Sequence, residues 1–200
     1  ELLDTLLAAG FKETIAGADR ARHRYVLADA RGYLEFIAPR IGGGQMRDGS
    51  PISALHFGGV VAEVLHEVKL LLHAPWTATL EAGVHISIVN PIAYLLQKLL
   101  VLPERRQPKR AKDLLYVYDT LVIFNARLPE LRERSAALRP PLTKKQIARA
   151  RSAFDRVAGQ TTDDHREAAR LAASQRAHSP SADAIARALS RALPGLLLPA

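Results

Sequence analysis

The chain has 200 residues, 48% of them hydrophobic, which is enough for one packed domain or two small ones. It has no cysteine, so disulfides and thiolate metal sites are excluded, and no apolar run approaches the roughly 20 residues of a membrane-spanning helix. The net charge of +8 is uneven: residues 1–90 hold 8 Lys and Arg against 10 Asp and Glu, and residues 91–200 hold 20 against 10. The second part is therefore either a surface for anions such as nucleotides or nucleic acids, or a solvated arginine-rich helical surface.

The first residues are predicted to form a helix and a β-hairpin. Residues 2–9 are rich in leucine and alanine and predict a short helix. Gly10 is expected to end it, because glycine commonly follows the last helical residue. Residues 24–28 and 33–38 are predicted as the two strands of a hairpin, joined by a turn at 29–32.

The next stretch contains a loop, an ambiguous segment and two further strands. Residues 41–51 are rich in glycine and predict a loop. Residues 58–72 carry valines at helical spacing, but their last five residues could equally form a strand. Residues 76–80 and 84–89 are predicted strands around a turn at 81–83, and the alternation in the second is typical of a half-buried strand.

Only helices are predicted from Pro91 onward. Asn90 is a favourable cap and Pro91 suits the first helical turn, so a helix begins here. Its apolar face is formed by Ile92, Leu95, Leu96, Leu99 and Leu100. Further helices are predicted at residues 111–124, 128–138, 143–157, 163–174 and 181–193, and a loose apolar tail at 194–200. The inward side of the first of these is predicted to be Leu114, Leu115, Val117, Tyr118, Leu121 and Val122.

These elements together predict an α+β fold. A small mixed or antiparallel sheet is expected first, followed by an all-helical C-terminal half. We expect the corresponding domains at residues 1–90 and 91–200.

Glu35 is the first candidate functional residue. On the predicted strand it shares one side with Tyr33 and Ile37, and a carboxylate between apolar neighbours is seldom buried without a partner or a metal. The alternative is an edge-strand glutamate paired with a cross-strand arginine such as Arg24.

A second group of candidates surrounds the connector between the first two C-terminal helices. Lys98 lies beside the apolar face of its helix and either reaches solvent or points at a phosphate. Asp113 is expected to open the next helix, where the helix dipole favours an acid by roughly 0.3–1 kcal/mol. Lysine and arginine held at adjacent helix ends suit phosphate binding. The cations of the connector are Arg105, Arg106, Lys109, Arg110 and Lys112.

Several other kinds of site are excluded by spacing. The glycines at 42–44 match neither GxxxxGK[ST] nor GxGxxG, so phosphate loops of these types are absent. No HExxH occurs, and His66 and His73 have no evident third zinc ligand. There is no GxSxG motif.

The order of these motifs resembles a known family. A helix ending in Gly-Phe at 10–11 precedes an acidic strand LEFIAP at 34–39, and a strand running into Asn-Pro, VHISIVNP at 84–91, leads to a helix with Lys-Leu at 98–99 and a basic connector with Lys-Asp-Leu at 112–114. This resembles bacterial nucleotidyltransferase-fold proteins related to abortive-infection and minimal-nucleotidyltransferase toxins, in the branch with a Gly-Ser nucleotide motif. The resemblance covers about residues 1–125 and leaves 126–200 as a variable helical extension.

The resemblance implies a partial nucleotidyltransferase-like core and a set of site residues. In that family a Gly-Ser motif binds the triphosphate, and an Asp-x-Asp strand and a later acid hold the metal. Glu35 matches the later acid, whereas this chain has neither the Gly-Ser motif in that context nor any Asp-x-Asp. The chain begins with Glu1 and its only methionine is Met46, so either processing removed a segment or the chain is a fragment of a longer protein. By the resemblance, it would begin just after the missing pair.

The implied function is transfer of a nucleoside monophosphate from a nucleoside triphosphate to an acceptor hydroxyl on RNA, protein or a small molecule, with Mg²⁺ as cofactor. Glu35 would be a catalytic metal ligand and Asp113 a catalytic residue that positions a cation. The phosphate-binding residues would be Lys98, Arg105, Lys109 and Lys112. We expect a cytoplasmic protein without a membrane partner, and no turnover by this fragment. The alternative is a non-enzymatic basic module that binds nucleic acid or, as in toxin–antitoxin pairs, an acidic protein.

Overall fold

A computed structural model of the chain describes residues 1–16, 22–28, 32–40 and 54–197. The predicted α+β class is confirmed, with small sheets followed by helices. The chain divides into two compact units, Glu1–Lys69 and Leu70–Ala200. We call them the sheet unit and the helical unit.

The sheet unit combines one helix with two three-stranded sheets. The predicted first helix is confirmed as α1 at Leu2–Ala8, and Gly10 follows it with a φ of +87°. The strands are β1 Phe11–Ala16, β2 Arg22–Leu27, β3 Tyr33–Leu34, β4 Phe36–Pro39, β5 Ala54–Phe57 and β6 Val60–Leu65. The first sheet has the order β1-β2-β3, with antiparallel pairs. In the second, of order β4-β6-β5, β4 runs parallel and β5 antiparallel to β6.

The predicted hairpin is only half right. Strands β2 and β3 do pair antiparallel, with Tyr25 opposite Leu34. The expected second strand at 33–38 is nevertheless broken at Glu35, because β4 leaves β3 and joins the other sheet. There the ring of Phe36 packs edge-on against the ring of Tyr25, with 5.4 Å between the ring centres. This aromatic contact stabilises β4 in the second sheet. Most of the predicted turn at 29–32 and all of the predicted loop at 41–51 lie outside the described residues.

Residues 58–72 form neither the predicted helix nor the predicted terminal strand. Val60, Ala62 and Val64 are buried and alternate with half-buried neighbours, so the valines follow the period of a strand, β6. A 3-10 helix occupies Val68–Leu72 in place of a strand. Strand β1 was not predicted, because its side chains are exposed or half-buried and show no apolar alternation.

The turn between β5 and β6 lies against α1. It consists of Gly58 and Gly59, with φ values of +53° and +81°. The Leu3 backbone N–H donates to the Gly58 carbonyl at 2.9 Å. A Cβ at Gly59 would lie 2.8 Å from the Leu3 Cβ, so this position has no room for a side chain.

The helical unit begins with the predicted strand pair. Strands β7 Trp76–Thr79 and β8 His85–Ile88 pair antiparallel around the predicted turn. The expectation of a half-buried second strand is wrong, because Ile86 and Ile88 are 38% and 39% exposed. Among the described residues, β8 pairs only with β7 and has no strand on its other edge.

The described residues form nine α-helices, of which α1 belongs to the sheet unit and the other eight to the helical unit. These eight are α2 Pro91–Val101, α3 Lys109–Ile123, α4 Leu128–Glu133, α5 Ser135–Leu138, α6 Lys144–Ala158, α7 Asp163–Ala173, α8 Ala182–Ala192 and α9 Pro194–Leu197. Short 3-10 helices lie at Leu102–Glu104 and Asn125–Arg127. No strand follows Pro91 in the part described, as predicted. None of the described helices has the length and apolar character needed to cross a bilayer.

Three predictions about the helices are wrong. The helix expected at 128–138 is divided into α4 and α5 at Arg134. The tail expected at 194–200 begins with α9, whose Leu196 and Leu197 are buried in the core. Val122 is 53% exposed instead of inward. The neighbouring Leu121, which is 4% exposed, lies on the buried side of α3.

The core of the helical unit is built mainly on α2 and α3. All five predicted apolar residues of α2 are buried. Asn90 caps the helix as predicted, since its Oδ1 accepts from the Ala93 N–H at 2.9 Å. Its buried side-chain amide also donates to the carbonyls of His73, Ala74 and Leu138. This one residue thus links α2 to the segment before it and to the end of α5.

Candidate functional site

Asp113 lies at the centre of a buried group of charges. Helix α3 begins at Lys109, two residues before the predicted start at 111 and four before Asp113, so Asp113 is in its second turn and the first-turn dipole explanation is wrong. The residue is 5% exposed. Its Oδ1 accepts from Lys98 Nζ at 2.6 Å, and its Oδ2 accepts from Arg105 Nε at 3.0 Å. One carboxylate therefore holds a cation from α2 and a cation from the connector.

Lys98 is enclosed, and its side chain is only 14% exposed. The prediction that it either snorkels to solvent or faces a phosphate left out this third outcome, an ion pair inside the protein. Its Nζ also lies 5.4 Å from the ring centre of Tyr94 and 5.3 Å from that of Tyr116, within the range of cation–π attraction. Burial, and then the charge of Asp113, raise the pKa of the Tyr94 hydroxyl well above its usual range, so this phenol stays protonated.

The connector carries further cations on its surface. Arg106, Lys109 and Lys112 are exposed and make no ion pair with any described residue. The Lys112 ammonium lies 5.5 Å from the ring centre of Tyr116. We call Lys98, Arg105, Arg106, Lys109 and Lys112, together with Asp113, the cationic cluster. It has five positive side chains and one negative side chain.

The connector is fixed from the other side by α7. The Asp164 carboxylate accepts hydrogen bonds from Gln107 and from Arg110. Arg110 also donates from Nη1 to the Arg105 carbonyl at 3.5 Å. Sequence reasoning missed Asp164 because its partners lie more than fifty residues away. It also missed Tyr94 and Tyr116, although each tyrosine stands four residues from a lysine of the cluster, a spacing that shares one helix face.

Glu35 belongs to the sheet unit and has a different environment. It lies between β3 and β4, and its side chain is 30% exposed. Arg24 Nε donates to its Oε1 at 2.8 Å, so the cross-strand arginine considered from the sequence is confirmed. This bond raises the pKa of the Arg24 guanidinium, which also lies 4.1 Å from the ring centre of Tyr33.

The described residues do not form a complete magnesium site. No group of three or more His, Asp and Glu side chains comes together among them. Glu35 is a single carboxylate already paired with an arginine, whereas Mg²⁺ requires near-octahedral oxygen coordination. We therefore derive no chemical step through a metal from these residues. Of the predicted site residues, Lys98 and Arg105 both contact Asp113, and Lys109 and Lys112 lie on the same helix as Asp113, α3. Glu35 is part of the other unit.

Comparison with known proteins places the chain in a family. A family model described as nucleotidyltransferase matches residues 1–138, which include Glu35 and the whole cationic cluster and extend past the predicted end of the resemblance. No curated protein matches the chain, and no solved structure does. A nucleotidyltransferase family implies a nucleoside triphosphate as substrate. Because the match spans well over half of the 200 residues, the chain belongs to this nucleotidyltransferase family.

Proposed function

We propose that this protein takes part in the transfer of a nucleoside monophosphate from a nucleoside triphosphate to an acceptor hydroxyl, and that the cationic cluster binds the triphosphate. The observation that carries the proposal is the buried carboxylate of Asp113, which holds Lys98 and Arg105 in place, while the connector and the start of α3 carry three exposed cations that make no ion pair with a described residue. We further propose that the protein is bacterial and cytoplasmic and is related to the toxin-like branch of the family.

The geometry of the cluster favours an anion over a purely structural ion pair. One carboxylate cannot balance five cations, so the cluster keeps an excess of positive charge. A lysine ammonium has three N–H donors and an arginine guanidinium has five, and each uses one of them on Asp113. The remaining donors are pre-oriented, and binding a phosphate with them costs less conformational entropy than ordering free side chains.

The reaction needs charge neutralisation of this kind. The acceptor oxygen forms a bond to the α-phosphorus, the bond from that phosphorus to the bridging oxygen breaks, and pyrophosphate leaves while the hydroxyl gives up its proton to water. Cations beside the phosphates stabilise the negative charge that grows on the leaving oxygens. Glu35 stays our candidate metal ligand and Asp113 our candidate for positioning the cations. A Mg²⁺ site would need carboxylates besides Glu35, and we therefore expect nucleotide binding without turnover by this chain.

The test is nucleotide binding by isothermal calorimetry, with ATP, GTP, CTP and UTP as probes. The double variant Lys109→Gln/Lys112→Gln removes two exposed cations of the cluster without disturbing Asp113. The matched control is Lys144→Gln/Lys145→Gln, which removes two exposed lysines of α6. We expect the first pair of changes to weaken binding by about tenfold or more, equivalent to ~1.4 kcal/mol, and the second to leave it unchanged. Equal binding by both variants would show that the cluster is not the triphosphate site.

A specific feature also favours the alternative, a basic module for nucleic acid. The α6 side chains Lys144, Lys145, Arg151 and Arg156 are exposed and make no ion pair with described residues. A polyanion such as RNA would contact them through its phosphates, and its affinity would fall steeply between ~50 and ~200 mM salt. The same two double variants distinguish the functions: loss of RNA binding in the α6 variant, with weak nucleotide binding throughout, would support the alternative.

A further inference from the structure

The helical unit contains an apolar cavity that the nucleotidyl-transfer proposal does not use. Its volume is about 310 Å³, and it lies between the segment that follows α5, helix α6 and helix α9. Its walls include Pro140, Leu142, Ile147, Ala150 and Leu197. It shares no residue with the cationic cluster. Cavities that bind small molecules commonly begin at this size and have mainly apolar walls with few polar groups.

Among the described residues, Arg139 is the single charged residue that lines this cavity. Its backbone is fixed, because its N–H donates to the Ser135 carbonyl at 2.9 Å at the end of α5. Its side-chain Nε is buried and has no hydrogen-bond partner in the described structure. A buried donor without an acceptor is destabilising, and folded proteins contain few of them. None of the described residues supplies an acceptor to this atom, and an arginine with an unused donor beside a cavity is a binding group for an anion.

We propose that the cavity binds a small aliphatic carboxylate, whose carboxylate accepts a hydrogen bond from Arg139 while its tail fills the apolar space. A carboxylate matches a guanidinium in charge and in planar geometry. A phosphate monoester would bring up to two negative charges and three oxygens into a site with one cation and apolar walls, so most of its oxygens would be desolvated without donors. An uncharged hydrocarbon would leave the Arg139 Nε unsatisfied.

The site can be tested on the full chain with a homologous series of probes. Butyrate, hexanoate, octanoate and decanoate are titrated by calorimetry, with 1-octanol as the uncharged probe. The variant Arg139→Met keeps an apolar side chain of similar length and removes the donor. We expect it to weaken octanoate binding by about tenfold or more and to leave octanol binding unchanged. The control Arg151→Met, at an exposed position of α6, is expected to bind octanoate like the wild type.

Thermal unfolding gives a second measurement that does not depend on affinity. Without ligand, Arg139→Met is expected to be at least as stable as the wild type, because it removes a buried unpaired donor. Ala150→Leu, which fills part of the cavity, is expected to abolish binding of both octanoate and octanol. The proposal is overturned if no member of the series binds the wild type saturably, or if Arg139→Met binds octanoate as tightly as the wild type.

Discussion

The two units differ in how far they bury their polar and charged side chains. The helical unit buries Asn90, Gln97, Asp113 and His165, and these four are the buried polar or charged residues of the described chain. In the sheet unit the pairs His23–Glu13 and Arg24–Glu35 keep 24–36% of each side chain exposed. Water competes for a surface pair but not for a buried one, so the same hydrogen bond differs in its contribution to stability. Two carboxylates that looked alike in the sequence, Glu35 and Asp113, therefore have different parts in the molecule.

The largest effect is expected at Asp113. Asp113→Asn removes one charge from a buried group and leaves Lys98 and Arg105 without their partner. We expect the free energy of unfolding to fall by about 3–5 kcal/mol, measured by urea denaturation. Asp155→Asn, on the exposed side of α6, should change it by less than about 0.5 kcal/mol. A loss below about 1 kcal/mol at Asp113 would remove the contrast between the two units.

A smaller loss is expected at Asn90. Asn90→Ala removes a helix cap and also leaves the carbonyls of His73, Ala74 and Leu138 without this donor. A cap alone contributes about 1 kcal/mol, and the orphaned carbonyls should raise the loss to about 2–3 kcal/mol. Ser181→Ala is the matched control, because Ser181 caps α8 at an exposed position with one bond to the Ala184 N–H. Equal losses in the two variants would show that burial adds nothing at Asn90.

His165 predicts a pH dependence of the helical unit. Its Nδ1 accepts from the Thr162 N–H at 3.1 Å, and its Nε2–H donates to the Val157 carbonyl at 3.0 Å, which is the neutral ring. Burial lowers the pKa of the imidazole. The unfolded chain therefore binds the proton first as the pH falls below about 6.5, and the free energy of unfolding falls with it, by at most about 1.4 kcal/mol per pH unit. Above that pH His165 adds no pH dependence to the free energy of unfolding.

The variant His165→Gln sharpens this prediction. Glutamine can replace the ring in the cap of α7 and does not titrate, so unfolding measured between about pH 7.5 and pH 5 should show a shallower slope. His178→Gln, at an exposed position, should keep the wild-type slope. An unchanged slope in His165→Gln would assign the acid sensitivity to another group.

The smallest effect is expected at Glu35. Glu35→Gln breaks a partly exposed pair with Arg24, and because water and salt screen such a pair, the free energy of unfolding should fall only slightly, and less at high salt. Urea denaturation at low and high salt measures this difference, and Arg24→Gln should give a similar small loss. A loss as large as that of Asp113→Asn would mean that Glu35 contributes as much to the stability of the fold as Asp113 does. A small loss would mean that the stability of the fold does not require Glu35, which is compatible with a role in binding.

What the sequence predicted well was local. The cap at Asn90, the face of α2 and the β7–β8 pair depend on residues within a few positions of one another. The parallel pairing of β4 with β6 joins segments more than twenty residues apart, and no local pattern indicates it. The start of α3 was missed because Lys109, Arg110 and Lys112 have the composition of a connector. The residue types of the candidate site were predicted, but the pairing of Lys98 with Asp113 across fifteen residues requires the packing of α2 on α3.

The Gly58–Gly59 turn limits how this chain can diverge. Both residues have positive φ, and a side chain at Gly59 would collide with Leu3. Any replacement there would have to overcome backbone strain and push α1 away in the same step. Neighbouring surface positions can change one at a time, whereas this pair can change only together with the helix that covers it. Descendants of this gene that keep the fold should therefore keep both glycines long after the surrounding surface has become unrecognisable.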